Sequence, residues 1–80
     1  MEVKLIAFGI ARDILKNKSV SFQMKSGNTI GDLKKMIISE YPAFSALSKL
    51  SFAVGEEYQE ENFVIPRGAE VVIIPPVSGG

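Results

Sequence analysis

The residues of this chain best suited to chemistry are Gly79 and Gly80, its last two. A terminal carboxyl has a pKa of about 3.3–3.7, so near neutral pH it is ionised and a poor electrophile. Once activated, the carbonyl carbon of Gly80 is open to attack from either side, because glycine has no Cβ. Gly79 keeps the approach slender enough to thread a channel too narrow for any other residue. Pro75 and Pro76 donate no backbone hydrogen, so they stop a sheet ladder and hold a stiff polyproline-like path. Pro75 to Gly80, with Val77 and Ser78 between, therefore reads as a projecting stalk that inserts a bare diglycine into another protein. The bland alternative is a frayed terminus. The apolar run Val71 to Ile74 and the two prolines after it argue against that.

The rest of the chain must hold that stalk. Residues 1–80 are expected to form one domain, with no room for a second. So short a chain buries only about 60% of its unfolded surface, which makes its 46% hydrophobic content necessary for a core. Cysteine and histidine are both absent. No disulfide, thiolate metal site or catalytic thiol is available, and the commonest general base is missing. The formal charge is zero and the pI near 6.2, so nothing suggests a nucleic-acid footprint. The opening apolar run is too short for a signal peptide, and no stretch is long enough to span a bilayer. The expectation is a cytoplasmic protein with no membrane partner.

Val3 to Phe8 reads as a strand, with Val3, Leu5 and Ala7 on one face and Lys4, Ile6 and Phe8 on the other. Ile10 to Leu15 is ambiguous and could form a helical turn, and Lys16-Asn17-Lys18 is a polar turn. Ser19 to Lys25 alternates cleanly and predicts a half-buried strand hairpinned to the first. Thr29 opens a helix, with Asp32 completing a capping-box pattern. Ile30, Leu33, Ile37 and Tyr41 fall on one stripe, beside Met36, and Pro42 ends the helix. Ala43 to Leu50 has room for a second short turn, and Leu50 to Val54 predicts a third strand closed by Gly55. The acidic segment Glu56 to Glu61 reads as a solvated loop, since it lacks the residue spacing of a calcium loop. Asn62 to Ile65 is a candidate short strand, and Glu70 to Pro75 the final one.

A helix between two hairpin-like halves must cover one sheet face, which predicts a two-layer α+β domain. The first and last strands are the most apolar, so they belong side by side and parallel in the centre. That is a β-grasp, or ubiquitin-like, arrangement: a mixed sheet of about four to five strands with one main helix. Leu5, Ala7, Val71 and Ile73 then meet the helix. Ile6, Phe8, Val72 and Ile74 are left uncovered, and an exposed apolar patch of that kind marks a protein interface.

Three segments carry a family resemblance that spans nearly the whole length. They are VKLIAFGIARDIL near the start, TIGDLKKMI in the helix and RGAEVVIIPPVSGG at the end. The chain resembles the small subunits of molybdopterin synthase, the MoaD branch of the MoaD/ThiS ubiquitin-like sulfur carriers. Gly55 departs from the asparagine usual where the third strand closes. The resemblance implies an E1-like adenylating partner that uses ATP to activate Gly80, after which a sulfur donor makes the thiocarboxylate. It implies delivery of that sulfur to cyclic pyranopterin monophosphate inside a large synthase subunit, in a heterotetramer of two large and two small subunits. It places the partner surface on Phe8, Tyr58 and Ile74 together with the tail residues Pro75, Pro76, Val77 and Ser78. Arg12 matches a basic position of the family.

Residue chemistry fits that cycle. No glycine loop with a lysine is present to cradle ATP phosphates, and no cysteine is present to hold sulfur. Activation and sulfur both have to come from partners, and no cofactor or metal is expected on this chain. It reads as a carried subunit of a sulfurtransferase complex rather than a catalyst by itself. Other readings are a ubiquitin-like modifier joined to target amines through Gly80, a sulfur carrier for another pathway such as thiamine synthesis, or an interaction domain with an inert tail.

Overall fold

Alternation builds the first strand, β1 (Glu2–Ala7): Val3, Leu5 and Ala7 are buried while Glu2 and Lys4 face solvent. The structure is a computed structural model that describes residues 1–47 and 49–75. The strand ends a residue earlier than its apolar run predicts, because Phe8 is the N-cap of a short helix, α1 (Gly9–Leu15). The ambiguous Ile10–Leu15 stretch is thus helical, and Ala11 and Leu15, one turn apart, face the core. Lys16 closes the helix in the left-handed region at φ 61°, its N–H donating to the Arg12 carbonyl at 2.8 Å. β2 (Ser19–Gln23) returns antiparallel to β1, with Phe22 opposite Val3.

The main helix, α2 (Ile30–Glu40), starts as its capping signature predicts. The Asp32 N–H donates to Thr29 Oγ1 at 3.3 Å, and the Thr29 N–H donates to Asp32 Oδ2 at 2.8 Å. The Thr29 N–H first, then the Thr29 hydroxyl, which donates to Asp32 Oδ2 at 3.1 Å, hold the Asp32 carboxyl below its usual range, with smaller help from Asn28 and Lys35 and against some desolvation. Ile30, Leu33 and Ile37 are fully buried, as the stripe predicts, and Tyr41 is a half-buried C-cap. Pro42 begins a 3₁₀ turn, Pro42–Ala46, that buries Phe44 edge-on to the Tyr41 ring at 6.4 Å.

β3 (Ser51–Val54), β4 (Glu57–Gln59) and β5 (Glu70–Ile74) complete a sheet of order β2-β1-β5-β3-β4. β1 and β5 lie parallel and adjacent, and β5 takes the centre. Leu5, Ala7, Val71 and Ile73 form the face under α2, each at most 1% exposed. Burying a valine, leucine or isoleucine side chain stabilises by about 1.5–3 kcal/mol before entropy is counted. The layering and the parallel centre are those of the β-grasp.

Two expectations are corrected. The acidic Glu56–Glu61 segment is not all loop: Glu57–Gln59 pairs antiparallel with β3. Gly55 and Glu56 form the two-residue turn between them, at φ 60° and 68°, and Gly55 suits it because it adopts that region freely. An edge strand needs one neighbour only, so exposed charges on it are no obstacle. Conversely, Asn62–Ile65 is not a strand. It makes one isolated bridge, Thr29 to Val64, and is tied to the start of α2 instead.

Candidate functional site

The sheet face away from α2 has a sequence-coded order. Along one row Ile6 pairs with Val72, Val72 with Ala53, and Ala53 with Tyr58. One step towards the C-terminal end of β5, Ile74 pairs with Ser51, and Phe8 follows the Ala7–Ile73 pair. One step the other way, the face turns polar at the Lys4–Glu70 pair, whose charged groups lie 4.0 Å apart. The apolar half therefore sits at the end of the sheet where β1 and β5 both finish. Phe8 is 62% exposed and Tyr58 69%, while Ile6, Val72, Ile74 and Pro75 are half-buried.

Phe8 and Tyr58 do not form one cluster. They stand on β1's end and on β4, three strand spacings apart, or roughly 14 Å. Between them Ile74, Val72 and the buried Ala53 make a low apolar floor. Such a shape suits a partner that inserts between two aromatic posts. Ala53 and the exposed Ile10, 48% accessible on α1, belong to this end of the molecule and were not singled out from sequence.

The chain that leaves β4 is clamped to α2. The segment after β4 satisfies the first N–H groups of that helix: Ile30 donates to the Phe63 carbonyl at 3.0 Å, and Gly31 to the Glu61 carbonyl at 2.8 Å. Lys34 adds an ion pair to Glu61 at 3.1 Å. Gly31 permits the close approach, since a Cβ there would lie 3.2 Å from the Glu61 carbonyl oxygen. The candidate strand Asn62–Ile65 thus serves to fix β4's exit rather than to extend the sheet.

Arg12 is exposed on α1, one turn beyond Phe8, whose carbonyl accepts the Arg12 N–H at 3.4 Å. It lines a shallow concavity with Asp13, Lys16, Asn17 and Lys18. In the sequence Lys16-Asn17-Lys18 reads as a polar turn, and only the path of α1 into β2 brings both lysines beside Arg12. Among the described residues no group of three histidine, cysteine or carboxylate side chains is placed to hold a metal. No helix there is long and apolar enough to cross a membrane. Of the tail, Pro75 is described, half-buried just past β5. Pro76, Val77, Ser78, Gly79 and Gly80 lie outside the described residues.

Comparison with known proteins fits this geometry. Residues 5–80 match the ThiS family. The chain is 32% identical over 83 aligned positions to the molybdopterin synthase sulfur carrier subunit of Chlamydomonas reinhardtii, with 100% of each covered. SAMP1 from Haloferax volcanii has the same fold, with a TM-score of 0.85 at 18% identity over 100% of both chains. So does a chain of the complex between subunits 1 and 2 of the molybdopterin-converting factor from Helicobacter pylori, at 0.69 and 21%, again over 100% of both. These structural neighbours are ubiquitin-like β-grasp proteins.

Proposed function

Since this chain belongs to the ThiS family, we propose that it is the sulfur carrier subunit of a molybdopterin synthase. The observation that carries the reading is the uncovered apolar end of the sheet, where β5 leaves its last pair beside Phe8 and leads in sequence to the diglycine. The full-length likeness to a protein of that name supports it. In this reading the Gly80 carboxylate attacks the α-phosphorus of ATP on an adenylating partner, releasing pyrophosphate. A sulfur nucleophile then displaces AMP and leaves a thiocarboxylate. Phe8, Tyr58 and Ile74 dock a large subunit, and Pro75 to Gly79 lead the thiocarboxylate into it, where sulfur passes to cyclic pyranopterin monophosphate. ATP is the partner's substrate, and this chain supplies the carbonyl and the docking surface.

Intact mass after coexpression with an adenylating partner tests the cycle. Replacement of one oxygen by sulfur on this chain is expected. Conjugates on other proteins without that replacement would point to a protein modifier instead. Deleting Gly80 is expected to abolish sulfur transfer with fold and subunit affinity kept. It leaves a glycine carboxylate but shortens the reach by about 3.3–3.6 Å, and an ångström of misplacement can cost about a hundredfold in rate. Gly79→Val keeps the length but adds β-branching where a narrow channel would reject it, and should fail likewise. Normal dithiolene formation by thiocarboxylated Gly80-deleted protein would rule out a geometrically defined terminal donor.

A further inference from the structure

The chain is neutral overall, yet its charges separate across the sheet. Arg12, Lys16 and Lys18 gather on the β2 side, while exposed Glu56, Glu57, Glu60 and Glu61 flank the opposite edge strand. The three cations line one hollow with Asn17 and a single carboxylate, Asp13. The ion pairs among the described residues, Lys4–Glu70 and Lys34–Glu61, involve none of them. Cations near a helix C-terminus also favour its dipole. That accounts for Arg12, but α1 has only seven residues and Lys18 lies beyond its end.

Position gives the cluster its meaning. The Ala7 N–H donates to the Lys18 carbonyl at 2.9 Å, so Lys18 borders the residue preceding Phe8. The basic hollow thus adjoins the apolar patch at the end of the sheet from which the tail departs. We propose that this corner captures an acidic surface segment of the protein that receives the tail, ahead of burial of the apolar patch. The inference rests on the sulfur-carrier reading and extends it. A carrier must load on one partner and unload on another, so it gains from fast encounter and loses from long residence. Exposed charges raise association rates while adding little to lifetime. A nucleic acid fits the hollow poorly, since the acidic edge repels a long polyanion.

The test is association of the intact chain with the large synthase subunit of the same organism, measured by stopped flow across ionic strength. Lys16→Glu with Lys18→Glu reverses the hollow and leaves Arg12 in place. Lys25→Glu with Arg67→Glu makes the same net change at the other end of the sheet. The first pair should slow association by about tenfold or more at low salt and flatten its salt dependence, with dissociation almost unchanged. The second pair should act several times less. If the reversal unfolds the chain, Lys16→Gln with Lys18→Gln removes the charges and should give a smaller change of the same kind. Equal effects from both pairs, or an association rate that the Lys16→Glu with Lys18→Glu reversal leaves unchanged where the wild type binds, would overturn the inference alone. A wild type that binds no large subunit would overturn the sulfur-carrier reading and this inference with it. Salt-sensitive self-association lost on reversal would assign the hollow to a second copy's acidic edge and also overturn it.

Discussion

Phe8 and Tyr58 are large apolar side chains that the fold leaves in water, and each should act as an anchor. Phe8→Ala is expected to weaken binding to the large subunit by about 1–4 kcal/mol, as truncating an interface anchor does. Thermal stability should barely move, because Phe8 is 62% exposed and caps α1 without a side-chain hydrogen bond. A melting point that drops while affinity holds would assign Phe8 to the core. Tyr58→Ala should behave in the same way from the other side of the patch. Phe8 and Ile74 were legible in the sequence because alternation along apolar strands puts them opposite a known core face. Tyr58 was not, except through family resemblance: its strand is three residues long and set among glutamates. Arg12, Lys16 and Lys18 lie on α1 and on the turn into β2, so only the three-dimensional path reveals their common hollow.

At the scale of elements, α2 carries the clearest energetic expectations. Leu33 is fully buried in the middle of its inward stripe, so Leu33→Ala should cost on the order of 2–5 kcal/mol in denaturant unfolding. An unchanged midpoint would mean the stripe is not the core face. Thr29→Ala removes the acceptor for the Asp32 N–H and should cost about 0.5–2 kcal/mol. Asp32 adds a pH signature. Its folded pKa lies below 3.8, so its contribution is fully present above that value and is lost as pH falls through the folded one. Asp32→Asn should therefore destabilise at neutral pH, and its gap from wild type should close in acid. A gap independent of pH would show that the carboxylate charge is irrelevant. The capping box was readable from Thr29 and Asp32 alone, since it is local chemistry. The clamp on the same helix end was not, because Glu61 and Phe63 reach it from thirty or so residues away.

For the whole molecule, the decisive feature is that β5 sits between β1 and β3. Its continuous apolar run foretold a central strand, and its two faces differ: Val71 and Ile73 lie under α2, whereas Val72 and Ile74 are half-buried on the open face. The outer order is less legible: the sequence offers Glu56–Glu61 as a loop and Asn62–Ile65 as a short strand, whereas the edge strand is Glu57–Gln59. A chain of residues 1–69 should show collapsed amide dispersion in NMR, since removing β5 leaves two separated hairpins, each marginal alone. A well-dispersed spectrum would show that the halves are stable without it.

The same placement bears on how the chain is made. Synthesis delivers the centre of the sheet after both of its neighbours. Until β5 takes its place, the β1–β2 and β3–β4 ribbons each keep one unpaired inner edge and an apolar face. Bare strand edges and exposed apolar faces make such a species prone to aggregate until the last strand docks. The nascent protein has to keep two sticky borders apart until the strand that separates them arrives.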